Sequence, residues 1–153
     1  MTETASRARA PWHLWALALV SLIWFAGGAN DYLQTKLDNR EYLAMAAEGS
    51  GVSLEMMDAY VASFPVWATI AWALGVWGAV AGSLLLVLRS RFAFHAFLAS
   101  LAGLAVTTAW TYASEASAPF VNTFQIVFSV LIWLSVIGMA YYTSRMIKAG
   151  VLR

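Results

Sequence analysis

Four stretches without a single Asp, Glu, Lys or Arg, at residues 12–29, 65–88, 92–112 and 124–143, constrain this chain more than anything else in it. At about 1.5 Å per helical residue, each is long enough to cross roughly 30 Å of hydrocarbon. In lipid the backbone must satisfy its own hydrogen bonds, and no alternating strand pattern is present, so each stretch is expected to be a helix. The expected fold is an all-α membrane protein, a bundle of four transmembrane helices forming a single integral membrane domain over residues 1–153. Composition supports this: 61% of residues are hydrophobic and 11% charged, against about 45–50% and 25% in soluble domains. A water-soluble core of this size cannot hide that much apolar surface.

The charges are sorted along the chain. Arg7, Arg9, Arg89, Arg91, Arg145, Lys148 and Arg153 fall on one side of the four stretches, whereas Asp31, Asp38, Glu41, Glu48, Glu55, Asp58 and Glu115 fall on the other. The positive-inside rule then makes residues 1–11 and 144–153 cytoplasmic tails and residues 30–64 an outer, periplasmic loop, an N-in/C-in arrangement. A competing reading takes residues 1–29 as a cleaved signal peptide ending in Ala26, Gly27, Gly28 and Ala29. The apolar run exceeds the usual 7–15 residues of such a peptide and carries Trp15 and Trp24, which favours a retained span.

Between the first two stretches, Asp38 and Glu41 have capping-box spacing, predicting a helix to about Glu48 that Gly49-Ser50-Gly51 stops. Ser53 is placed to cap a second short helix, with Leu54, Met57, Val61 and Phe64 on one face. These two helices are expected over the outer mouth or along the membrane surface. Arg89-Ser90-Arg91 is so short that the flanking helices must be antiparallel neighbours. The loop from Ser114 to Thr123 is compact, and Pro119 bars a continuous helix there. Ala68, Ala71, Gly75, Gly78 and Gly82 recur at spacings of three and four, and Ala96, Ser100, Gly103, Thr107 and Thr111 do the same in the next span. Small residues let backbones approach in lipid, so these stripes are expected to pack together across the hairpin. The alternative is a homodimer contact through Gly78 and Gly82.

Chemistry-bearing groups are few. There is no cysteine, and His13 and His95 stand alone near span ends, without a His or carboxylate at ligand spacing. No metal, no cofactor and no catalytic residue is expected, and the protein is read as no enzyme. A net charge of +1 gives no nucleic-acid footprint, and charge-free spans argue against an ion-coupled pump. The suggestive constellation lies at the outer mouth: Trp24, Asn30, Asp31, Tyr32, Trp67, Trp72, Trp110, Asn122 and Gln125, with Tyr112 and Phe124 nearby. Aromatic faces with amides and one carboxylate suit a neutral polar molecule, a lipid headgroup or a quinone-like ring. The competing reading is an interfacial aromatic belt, with Asn30 or Asp31 only capping the next helix. Trp77 and Trp133 lie near mid-membrane, where core packing is the expectation.

Gly28-Ala29-Asn30-Asp31-Tyr32, Phe64-Pro65-Val66-Trp67, Gly75-Val76-Trp77-Gly78 and Gly82-Ser83 resemble recurring features of a group of small proteobacterial four-helix inner-membrane proteins often labelled "sugar transporter". The resemblance runs from Trp12 to about Thr143. It implies a multi-pass protein of the bacterial inner membrane, and it singles out Asp31, Tyr32, Pro65, Trp67, Trp77 and Gly78 as the positions to test. Three functions follow as expectations. The first is a transport-related protein that binds or passes a small neutral solute at the outer aromatic cluster. The second is a structural or assembly subunit of a larger membrane complex, the third a lipid- or isoprenoid-modifying enzyme. Expected partners are membrane lipids and either a second copy or a larger complex.

Overall fold

The computed structural model describes residues 9–153. Arg7 and most of the N-terminal tail lie outside the described residues. Of the described residues 83% are helical, and none lies in a strand. In order come α1 (Trp12–Lys36), α2 (Arg40–Ser50), α3 (Leu54–Ala62), α4 (Val66–Val87), α5 (Phe92–Ala113), a 3-10 turn (Glu115–Phe120) and α6 (Thr123–Lys148). Of these, α1, α4, α5 and α6 are long and apolar enough to cross a membrane.

The first helix does not stop where its apolar run ends. It continues from Asn30 to Lys36 and closes only when Leu37 N–H reaches Leu33 O at 2.9 Å and Asp38 turns to φ 51°. The end of an apolar stretch marks a change of solvent. Residues 30–36 contain neither Gly nor Pro, so nothing local breaks the backbone ladder. Asn30, Asp31 and Tyr32 therefore sit within the last two turns of α1 and cap nothing. The capping of α2 also differs from the Asp38 expectation: Asn39 accepts from Tyr42 N–H at 3.2 Å. Asp38 is committed to the left-handed turn that ends α1, and its carboxylate instead pairs with Arg40 at 3.2 Å.

Gly51, at φ 71°, ends α2 in the left-handed conformation that favours glycine. Ser53 caps α3 by accepting from Met56 N–H at 3.2 Å. The two short helices close on a small core of Leu43, Ala47 and Met57, flanked by Leu54, Val61 and Phe120. Arg40 clamps them with a two-pronged contact to Asp58, at 2.8 and 2.9 Å. Together they form a cap over the acid-bearing end.

Helices α4 and α5 make the closest pair in the molecule. A Cβ at Gly78 would lie 2.9 Å from Ser100 N, and one at Gly82 would lie 2.8 Å from the Phe97 ring. One at Gly103 would run into the main chain of Ala71 and Gly75, and Gly75 itself faces Leu104. Ser100 Oγ donates to Gly75 O at 2.5 Å across this contact, while Thr107 Oγ1 donates to Gly103 O at 2.8 Å within α5. The Gly78 and Gly82 face is thus filled by α5 of the same chain.

The four long helices follow the order α1, α4, α5, α6. Ser21 and Ser83 join α1 to α4 at 2.9 Å, and Trp133 Nε1 donates to Thr108 Oγ1 at 3.2 Å from α6 to α5. Helices α1 and α6 meet through side chains, His13 Nδ1 at the start of α1 with Tyr142 OH at 2.6 Å and Trp24, midway along α1, with Phe128 at 5.9 Å between ring centroids. Leu14, Ala18, Phe25, Ala79, Leu86, Phe97, Val136 and Ala140 fill the centre. At the arginine-bearing end the α4–α5 turn is sewn to the C-terminal segment, Arg91 N–H reaching Arg153 O at 2.7 Å and Arg153 N–H reaching Arg89 O at 3.0 Å.

Candidate functional site

The acid-bearing end gathers rings from six parts of the chain. Tyr32 of α1 meets Trp72 edge-on at 4.9 Å and Trp77 at 6.5 Å, both on α4. Phe64, in the link behind α3, lies 5.6 Å from Trp72 and 4.0 Å from Trp110 of α5. Tyr60 of α3 stands 5.2 Å from Phe64, 6.1 Å from Trp110 and 4.4 Å from Phe120, on which it stacks. Lys36 completes the edge, its Nζ 5.6 Å from the Trp72 ring and 3.4 Å from Thr69 Oγ1. Offset and edge-on ring pairs at such distances add about 0.5–1.5 kcal/mol each beyond the area they bury. The network therefore fastens the cap to the bundle.

A polar latch lies beside the rings. Tyr42 OH donates to Asp31 Oδ1 at 2.7 Å, joining α2 to the last two turns of α1. Burial, then the bond to the Asp31 carboxylate and that group's charge, push the Tyr42 phenol well above its ordinary value of 10.0. Tyr60 is also raised, chiefly by burial and further by Asp31, against a hydrogen bond with Thr111 that lowers it. Both phenols stay neutral at ordinary pH, so Tyr42 serves Asp31 as a donor.

The nine candidate residues divide. Tyr32, Trp72 and Trp110 join the ring network, and Asp31 sits at its edge with Tyr42. Trp24 instead packs on Phe128, and Asn30 accepts from Gln34 at 3.3 Å. Asn122 caps α6 by accepting from Gln125 N–H at 2.9 Å, and the Gln125 side chain is exposed. Trp67 is exposed, with no ring partner among the described residues. Sequence reasoning passed over Tyr42, Tyr60 and Phe120. Tyr60 and Phe64 are four apart, a helical pair signal, whereas nothing local to Tyr42 or Phe120 announces a partner so distant in the chain.

None of the nine lines either of two open cavities among the described residues. One, of about 350 Å³, lies between Thr35, Asp38, Arg40, Leu43, Asp58, Val61 and Ala62. The other, of about 370 Å³, lies at the arginine-bearing end. Among the described residues no three His, Cys, Asp or Glu side chains converge as metal ligands. No protein-family model, no curated protein and no solved structure matches the chain.

Proposed function

We propose that the protein is a non-enzymatic, multi-pass component of a bacterial inner membrane, with both termini cytoplasmic, that serves as a structural or assembly subunit and offers its periplasmic cap to a partner. The observation that carries this reading is the spending of the aromatic faces on one another. Rings that would wall a solute pocket instead hold α3 and the 3-10 turn against α4 and α5. A rigidly docked cap is a platform. Glu41, Glu48 and Glu55 stand exposed on it, unpaired among the described residues, whereas Asp38 and Asp58 share the one charge of Arg40. Such a surface favours a basic partner.

The test is native mass spectrometry after mild solubilisation, on the wild type and on an E41K/E48K/E55K variant. A stoichiometric protein partner that the variant loses at unchanged thermal stability is the expected result. A wild type that carries a small solute and no protein returns the solute-binding reading to first place. The Tyr32, Trp72 and Trp77 edge favours that second reading, because Trp77 keeps 42% of its surface open. Orientation is tested separately by reporters fused after Arg153 and inserted at Gly49. The former should be active only in the cytoplasm and the latter only outside it.

A further inference from the structure

The cavity at the arginine-bearing end lies between the first turn of α5 and the last turns of α6. Its walls are Arg91, Phe92, Phe94, His95, Ser144, Ile147 and Lys148, around about 370 Å³. No Asp or Glu lines it, and every Asp and Glu among the described residues belongs to the opposite end. Neither the Arg91 nor the Lys148 side chain has an ion pair or a hydrogen bond among the described residues. The Arg91 guanidinium sits 5.6 Å from the Phe92 ring centroid, and its main chain is fixed by the 2.7 Å bond to Arg153 O. The cation rests against the Phe92 ring, with no carboxylate among the described residues to balance its charge.

We propose that this cavity seats the phosphodiester of an anionic glycerophospholipid. A planar guanidinium fork, a mobile ammonium and a hydroxyl donor match a group with several acceptor oxygens. Basic recesses between spanning helices are where such headgroups bind. The rest of the lining decides between a lipid and a free anion. Phe92, Phe94 and Ile147 offer nothing to hydrated inorganic phosphate, but they suit the glycerol and first methylenes that a lipid carries beneath its phosphate. A zwitterionic headgroup is disfavoured because its own cation would face Arg91 and Lys148. The proposal rests on the bundle lying in a membrane and not on what the cap engages.

The test titrates the full chain in detergent with phosphatidylglycerol, phosphatidylcholine or inorganic phosphate, followed by native mass spectrometry. Phosphatidylglycerol should be retained in preference to phosphatidylcholine. R91A/K148A should weaken it about thirtyfold, at roughly one cation's worth of attraction each, and R91K/K148R should keep it. Ser144→Asp, which sets a carboxylate in the cavity, should abolish it while leaving both cations in place. R9A/R145A removes the same charge from the same end without touching the lining and should cost far less. An equal loss in R9A/R145A would reduce the effect to general surface charge and overturn the site. Equal retention of phosphatidylcholine, or displacement of the lipid by inorganic phosphate at equal concentration, would overturn the lipid assignment.

Discussion

At the scale of single residues, glycines separate by what surrounds them. Gly78 meets the Ser100 main chain at 2.9 Å where a Cβ would stand, and a backbone atom cannot swing aside as a side-chain tip can. Gly78→Leu should therefore lower stability by at least about 1–3 kcal/mol, the usual cost of overpacking. Gly27 and Gly138 have nothing within 4 Å of the same position. Gly27→Ala should raise stability by about 0.5–1 kcal/mol by removing backbone freedom from the unfolded chain. Thermal unfolding in detergent reads both, and equal effects of opposite expectation would discredit the α4–α5 contact. The three-and-four spacing of Gly75, Gly78 and Gly82 was visible in the sequence because a helix turns spacing into a face. The partner of His13 was not: Tyr142 lies 129 positions away, and no local pattern encodes that distance.

Among the elements, the cap carries titrations of opposite sense, Asp58 lowered and Tyr42 and Tyr60 raised. Arg40 holds Asp58 below its ordinary value of 3.8. A depressed carboxyl supports the folded state above that value, and the support is lost as pH falls through the still lower folded one. Tyr42 is raised above 10.0, so its support is complete below 10.0 and is lost as pH climbs through the higher folded value. Hydrogen exchange of α2 and α3 should consequently be slow and flat across neutral pH, with faster exchange at each extreme. Asp58→Asn should flatten the acid limb alone, whereas Tyr42→Phe should shrink the alkaline limb and Y42F/Y60F should flatten it, since both phenols are raised. A single variant that removed both limbs would show that the two contacts are not separate. The short helices and their ends near Glu48 and Ser53 could be read in advance, because Gly51 and Ser53 are local stop and start chemistry. The length of α1 could not. Hydropathy reports where lipid ends, and the polar turns from Asn30 to Lys36 obey helix propensity instead.

For the whole molecule, α4 and α5 touch backbone to backbone, whereas α6, the least buried of the four long helices, holds α5 mainly through side chains. Pulling from the C-terminus in a bilayer should extract α6 in a step of its own and then α5 with α4 in one rupture. Separate steps for α5 and α4 would contradict the packing. The four-helix plan was legible because charge-free runs of this length have one solution in lipid. The joining of the rings at the acid-bearing end into a fastener was not, since a belt, a pocket and a clasp share one composition and differ only in where each face points. The tight turn at Arg89, together with glycine contact through the middle of the pair, carries a consequence for biogenesis. Residues 66–113 form a hairpin whose internal contacts are complete before α6 is synthesised. A chain leaving the ribosome can hand that hairpin to the insertion machinery as one preassembled object, against which the last helix is then laid.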